Sequence, residues 1–215
     1  MIIYCIYLLL LLLMFMLIYS IISENLKYPF IKVRTFSLLV LMIGSLRYIA
    51  LLIFLISKNI KYLYFLKPLV FLNILVLPML ALISIYIFVR NDKIKYNYCL
   101  IVCGLLLSFY ILIIVKNSAS IKSIGSLGYL MTFTNESLIY GIYIIFNTIF
   151  LLISILFLGM KNVNKQGLCM VLFSSLLQIC EIILKFMGFF ILPAFILGDL
   201  FWILTIGYAL LKLKK

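Results

Sequence analysis

Seven stretches of the sequence stay apolar for about twenty residues apiece, the length that carries an α-helix across roughly 30 Å of hydrocarbon. They are Ile2–Ile22, Phe36–Ile56, Tyr62–Val89, Tyr98–Val115, Leu138–Gly159, Gly167–Ile191 and Pro193–Leu211. Polar or basic breaks separate most of them: 24–34 carries Pro29, 90–97 is charged, and 161–166 is short and basic. The last two runs are parted only by an expected tight turn around Leu192-Pro193. Hydrophobic residues make up 68% of the 215, and the mean hydropathy is +1.37. A soluble domain is nearer half apolar and still leaves roughly a third of its unfolded surface in water. The expected fold class is therefore an all-α membrane protein, a seven-transmembrane-helix bundle. It forms a single transmembrane domain over 1–215, with one long external loop at 116–137. The first run has neither a basic n-region nor a small-residue cleavage site after Ile22, so it is expected to remain as a span.

The chain holds 18 Lys and Arg against 5 Asp and Glu, a formal net charge of +13. These basic residues lie mostly between apolar runs, which points to orientation in a membrane and contact with anionic lipid rather than to nucleic acid. Lys27, Lys32, Arg34, Arg90, Lys93, Lys95, Lys161, Lys165, Lys212, Lys214 and Lys215 fall on one side. Lys58, Lys61, Lys67, Lys116 and Lys122 fall on the other, and eleven against five places the N-terminus outside and the C-terminus in the cytoplasm. A wealth of Ile, Lys, Asn and Tyr suggests an AT-rich bacterial genome, hence a bacterial cytoplasmic membrane.

Histidine is absent, which removes histidine-ligated metals, bis-histidine haem and any His-activated nucleophile. No cofactor and no metal are expected. Cys5, Cys99, Cys103, Cys169 and Cys180 lie in or beside apolar runs without the pattern of a disulfide framework. Cys99 and Cys103, four apart, read as small packing residues, since two thiols alone make a poor soft-metal site. Pro78, inside the third run, is expected to kink it. In the long connection, Ile121, Ile124, Leu127, Leu130 and Met131 recur every three or four residues, interrupted by Gly125 and Gly128. That spacing favours a partly helical loop resting on the membrane surface over a lid above a pocket. Asn135-Glu136-Ser137 matches a glycosylation sequon but sits almost at the bilayer, where a chance match is expected.

The informative residues are polar ones inside apolar runs. Arg47 lies in the second run, Glu181 and Lys185 in the sixth and Asp199 in the seventh. An ionised side chain at mid-bilayer costs about 2.5–3.5 kcal/mol on the translocon scale, so these must face the interior and pair. Their charges sum to zero. Ser174, Gln178, Glu181 and Lys185 form one helical stripe, within which Glu181 and Lys185 are suitably spaced for a pair. Tyr140, Tyr143, Asn147 and Ser154 form another on the fifth run, and Asn73 and Ser84 share a face of the third. The first run has no such residues and is expected to face lipid. Arg47, Asn73, Asn147, Gln178, Glu181, Lys185 and Asp199 are thus the candidate ligand-binding residues, with no catalytic set among them. The bland alternative is polar glue between helices.

The layout resembles the seven-helix membrane input module that precedes the kinase in some bacterial sensor histidine kinases. The closest stretch runs from Phe65-Leu66-Lys67-Pro68-Leu69 to Phe88-Val89-Arg90-Asn91-Asp92, and the hairpin of the last two runs adds to the likeness. The resemblance is one of topology across nearly the whole chain and carries no functional residue over. It implies a sensor-like protein, and with only four residues after the seventh run, signalling through a separate partner protein. The expected function is a receptor-like or ligand-binding polytopic membrane protein, with an outward-facing polar core for a small polar or anionic ligand. A small transporter, or the substrate-binding subunit of one, ranks second. A membrane-embedded lipid enzyme using Glu181 and Asp199 ranks last, because Arg47 and Lys185 would hold both ionised and no nucleophile stands near. No enzymatic activity is therefore expected.

Overall fold

A computed structural model of the protein describes residues 2–28, 32–57, 59–89, 96–124, 128–189 and 192–213. Its long helices are α1 (Ile2–Asn25), α2 (Lys32–Ile56), α5 (Asn73–Val89), α6 (Tyr96–Lys116), α7 (Glu136–Leu158), α8 (Lys165–Phe186) and α9 (Ile196–Lys212). Two short helices, α3 (Ile60–Leu63) and α4 (Lys67–Val70), lead into α5. The chain is a helical bundle, and six of its helical spans are long and apolar enough to cross a membrane. The helix α9, with 17 residues, falls just below that length. Pro29, Lys58, Arg90, Asn91, Asp92, Lys93, Lys95, Gly125, Leu127, Ile191, Lys214 and Lys215, all named above, lie outside the described residues.

The span from Ile60 to Val89 is apolar throughout, but its backbone is not one helix. Pro68 occupies the first turn of α4, where its missing N–H costs nothing. A proline ring crowds the carbonyl four residues back and removes one helical hydrogen bond, and ahead of Pro68 the helix α3 gives way. A 3-10 turn at Tyr64–Leu66 fills the gap. A second break follows at Phe71 and Leu72, where Leu72 N–H bonds Leu69 O at 3.3 Å and Ile74 N–H bonds Phe71 O at 3.1 Å. Those three-residue steps release the Pro68 and Val70 carbonyls to other donors. Tyr110 Oη donates to the first, and Arg47 Nε donates to the second at 3.1 Å. The expected kink site, Pro78, lies inside α5 instead, several residues beyond the break.

The end of α8 also differs from the sequence expectation. Gly188, at φ +87°, takes the left-handed position after the helix. Phe189 N–H then bonds Leu184 O and Gly188 N–H bonds Lys185 O, at 3.0 and 3.1 Å. This paired closure is a Schellman cap, which only a residue tolerant of positive φ can make cheaply. The helix stops at Phe186 and the next starts at Ile196. The tight turn expected at Leu192-Pro193 is in fact a longer connection whose Pro193, Ala194 and Phe195 are buried.

The connection between α6 and α7 is an antiparallel hairpin, not the partly helical loop its spacing suggests. Strand β1 (Ala119–Ser123) pairs with β2 (Tyr129–Phe133), in the register Ala119 to Phe133 and Ser123 to Tyr129. Leu130, Met131 and Phe133 of β2 are buried, and Phe133 stacks on Phe71 at the break in the third span, with centroids 3.8 Å apart. Burial of this strand explains why apolar residues on it do not float on a lipid surface.

At the centre stands α5, in contact with α2, α6, α7, α8 and α9. Most residues of the third span are buried, whereas most of those in the first, fourth and fifth are not. Much of α1 does face outward, through Leu9, Leu12, Met16 and Tyr19. Tyr7, Leu11, Met14 and Ile18 nevertheless form a buried stripe at helical spacing, and the helix packs on α2 and α9.

Candidate functional site

The intramembrane charges meet at the hairpin end of the bundle. Arg47 of α2 forms an ion pair with Asp199 in the first turn of α9, and both side chains are almost wholly buried. The Arg47 guanidinium also lies 5.8 Å from the ring centre of Tyr48. With the Val70 carbonyl on its Nε, the guanidinium ties three elements together: α2, the broken third span and α9. A pair in low dielectric holds only when further hydrogen bonds complete it, and here the unwound carbonyl supplies one.

Glu181 of α8 plays a second joining role. Its carboxylate accepts from Gly198 N–H at 2.9 Å and from Leu197 N–H at 3.4 Å. These are two of the orphan donors at the start of α9, where a negative charge also meets the positive end of the helix dipole. Four residues on, the Lys185 ammonium lies over Phe195 at 4.5 Å and Tyr140 at 5.6 Å from the ring centres. Such stacking on aromatic faces lets a cation sit among apolar groups.

Under β2 these side chains line a partly open chamber of about 50 Å³. Arg47, Asn73, Tyr140, Tyr143 and Lys185 contribute polar groups, while Val70, Phe71, Phe133 and Phe195 supply apolar wall. Tyr143 Oη donates to Asn73 Oδ1, fixing two of the polar groups across α7 and α5. A wider chamber of about 260 Å³ adjoins it beneath the hairpin, lined by Lys122, Ser123 and Ile124 together with Leu130, Thr132, Glu136 and Lys185. The last four line both spaces. At this junction Glu136 accepts from Lys122 Nζ at 3.3 Å and from Tyr140 Oη at 3.1 Å.

Of the seven candidates from sequence, Arg47, Asn73 and Lys185 line the inner chamber, and Asp199 backs it through Arg47. Glu181 borders a separate space of about 100 Å³ between α8 and the segment before α9, which Lys185 also borders. Asn147 donates to Tyr143 O at 2.8 Å within its own helix. Gln178 lies between α8 and Gly198, fully buried, with neither amide atom hydrogen-bonded among the described residues. Neither of these two lines a chamber described above.

Sequence reasoning misses Thr132 and Glu136. The connection that carries them reads as surface, and Glu136 falls inside the sequon match. A signal is present, because Glu136 begins a helical stripe with Tyr140 and Tyr143. Cys99 and Cys103 are both buried on α6, consistent with packing residues. Among the described residues no cluster of His, Cys, Asp and Glu could hold a metal ion. The chain matches no protein-family model, no curated protein and no solved structure.

Proposed function

We propose that the protein is a receptor-like, polytopic membrane protein that binds a small polar or charged ligand in the chamber beneath its hairpin. The observation that carries this reading is the partly open, mixed-polarity space on which polar side chains from five elements converge, with Tyr143 held to Asn73 and Arg47 to Asp199. Structural glue accounts for the pairs Arg47–Asp199 and Tyr143–Asn73 but does not require a cavity beside them. At about 50 Å³ the inner chamber suits a few atoms, so the ligand is small or extends into the wider chamber.

On this reading the chain spans a bacterial cytoplasmic membrane seven times, with α9 as the seventh span, its N-terminus outside and its C-terminus in the cytoplasm. Six apolar spans and the basic asymmetry of alternate connections support it. The hairpin and both chambers then lie on the outer side. Output would pass to a separate partner through movement of α8 and α9, which join at Glu181 near the chamber and through Tyr208 and Gln166 at the far end.

A transporter reading draws on one observation, the interrupted third span, since broken helices often form substrate sites in transporters. Against passage, Ser37 and Ser154 in the other half bond carbonyls within their own helices. The deciding experiment is a thermal-stability screen of the purified protein against amino acids, carboxylates, amines, sugars and nucleosides. A hit is expected, and it should vanish in Thr132→Trp, which fills the junction of the chambers. No hit across the panel, or a hit that survives Thr132→Trp, would sink the binding reading. Accumulation of the hit compound in proteoliposomes would replace receptor by transporter.

A further inference from the structure

A groove between α2 and α6 shares no lining residue with the two chambers and differs from them in character. Both helices pack on α5. They meet at their first turns, where Tyr96 Oη donates to Lys32 O at 3.4 Å. There the Tyr96 ring also stands edge-on to Phe36, with centroids 6.4 Å apart. Beyond that contact the helices leave a space of about 300 Å³, floored by Leu75, Val76 and Met79 of α5. Its walls are matching helical stripes, from Phe36 to Ile43 on α2 and from Leu100 to Leu107 on α6. No lining side chain carries nitrogen or oxygen. The floor is buried, whereas Leu39, Ile43, Leu100 and Leu107 at the rim are exposed, so the groove opens outward from the bundle. A Cβ added to Gly104 would meet nothing within 4 Å.

On helices that cross a bilayer, those rim residues stand among acyl chains. Water does not fill so apolar a space, and leaving it empty forfeits dispersion contacts along both walls. The wall from Phe36 to Ile43 rises only about 10 Å, and Tyr96 and Lys32 shut its near end. A helix from a second copy, rigid and about 10 Å across, would have to run straight through that contact. An acyl chain is thin and flexible and can turn in from the side. The shut end also carries the charge that an anionic lipid needs. Lys32 lies one turn before Phe36 on the same face of α2, is exposed, and forms no ion pair among the described residues. As the first residue of α2 it stands at the end of its span, the level of lipid phosphates, as Tyr96 does at the start of α6.

We propose that this groove holds one acyl chain of an anionic phospholipid, whose phosphate meets Lys32 outside the Tyr96 contact. The chain fills the space that α5 floors and ties α2 to α6 along the stretch where they part. The site is independent of the binding reading above, since it uses none of the chamber residues.

The test uses the purified full-length protein in neutral detergent, with dioleoyl phosphatidylglycerol and dioleoyl phosphatidylcholine added as mixed micelles. Thermal unfolding and native mass spectrometry of retained lipid are the readouts. Phosphatidylglycerol should raise the unfolding midpoint with one lipid retained, and the choline lipid should need about fivefold more to match it. Lys32→Gln should remove that difference. Gly104→Phe puts a ring in the groove and should abolish retention and stabilisation by either lipid. Without lipid the same variant should unfold no earlier than the parent, because the position is open and glycine is a poor helix former. Equal stabilisation of parent and Gly104→Phe would overturn the proposal, as would equal response to the two lipids in the parent. Loss of a dimer in Gly104→Phe would also overturn it and give the groove to a second copy. A phosphatidylglycerol with a photoreactive acyl chain keeps the test decisive if Gly104→Phe does not fold. On the unaltered protein it should label residues 100–107, and labelling spread evenly over the exposed faces of α1 and α6 would overturn the site.

Discussion

Arg47 shows how one residue can be legible while its partner is not. A charge in the middle of an apolar run demands a counter-charge, and the zero sum with Glu181, Lys185 and Asp199 follows from the sequence alone. Which acid it meets depends on how helices far apart in sequence pack, and that is decided by the many contacts on their other faces. The structure joins it to Asp199 and assigns Glu181 to the first amides of α9. Replacing Arg47 by Ala strands a buried carboxylate and is expected to destabilise the protein by about 3–5 kcal/mol. The double variant Arg47→Met with Asp199→Leu should recover most of that loss, because an apolar pair of similar volume has no charge to bury. Thermal unfolding in detergent measures both, and a double variant no more stable than the single one would contradict the pairing. Glu136 is less legible than Arg47 because it stands at the end of its helix, where a carboxylate is commonplace.

At the scale of elements, the long helices can be read from one-dimensional apolar runs, most of them to within a few residues. The departures arise where backbone chemistry outweighs hydrophobicity. Pro68 and the three-residue bonds at Phe71–Leu72 break a span that is apolar from end to end. Likewise the positive φ of Gly188 stops α8 before its apolar run is finished. The hairpin is illegible for a different reason: the residues of β2 are buried by Phe71 and α2, neither of which is near it in sequence. The contact of α8 with α9 is close at Gly198, where an added Cβ would overlap Gln178 Oε1. Gly198→Ala is therefore expected to cost about 1–3 kcal/mol as overpacking, and Gln178→Ala in the same background should relieve it. Gln178→Leu alone should leave stability unchanged or raise it, since a buried amide without partners is exchanged for an apolar group. Unfolding midpoints of the three variants provide the check.

For the whole molecule, the order of spans fixes two ends. Arg34 near the start of α2 donates to Leu213 O beyond α9, while the hairpin gathers at the opposite end with the start of α7. Single cysteines placed in a cysteine-free background can tell which end is which. Ser123→Cys should react with a membrane-impermeant maleimide in intact cells, whereas Asn162→Cys should react only after permeabilisation. The reverse pattern would invert the proposed orientation and move the chambers to the cytoplasmic side. A further consequence attaches to α9. Its 17 residues rise only about 25 Å, short of a typical bilayer core, and Glu181 holds its first turn below the end of α8. On the seven-span topology this is a built-in hydrophobic mismatch on one flank, which lipids meet by thinning locally around the short member. Reconstituted into bilayers of increasing acyl length, the protein should be most stable in the thinner ones. Thick bilayers should strain the Arg47–Asp199 contact first, making membrane thickness an input to the chamber in its own right.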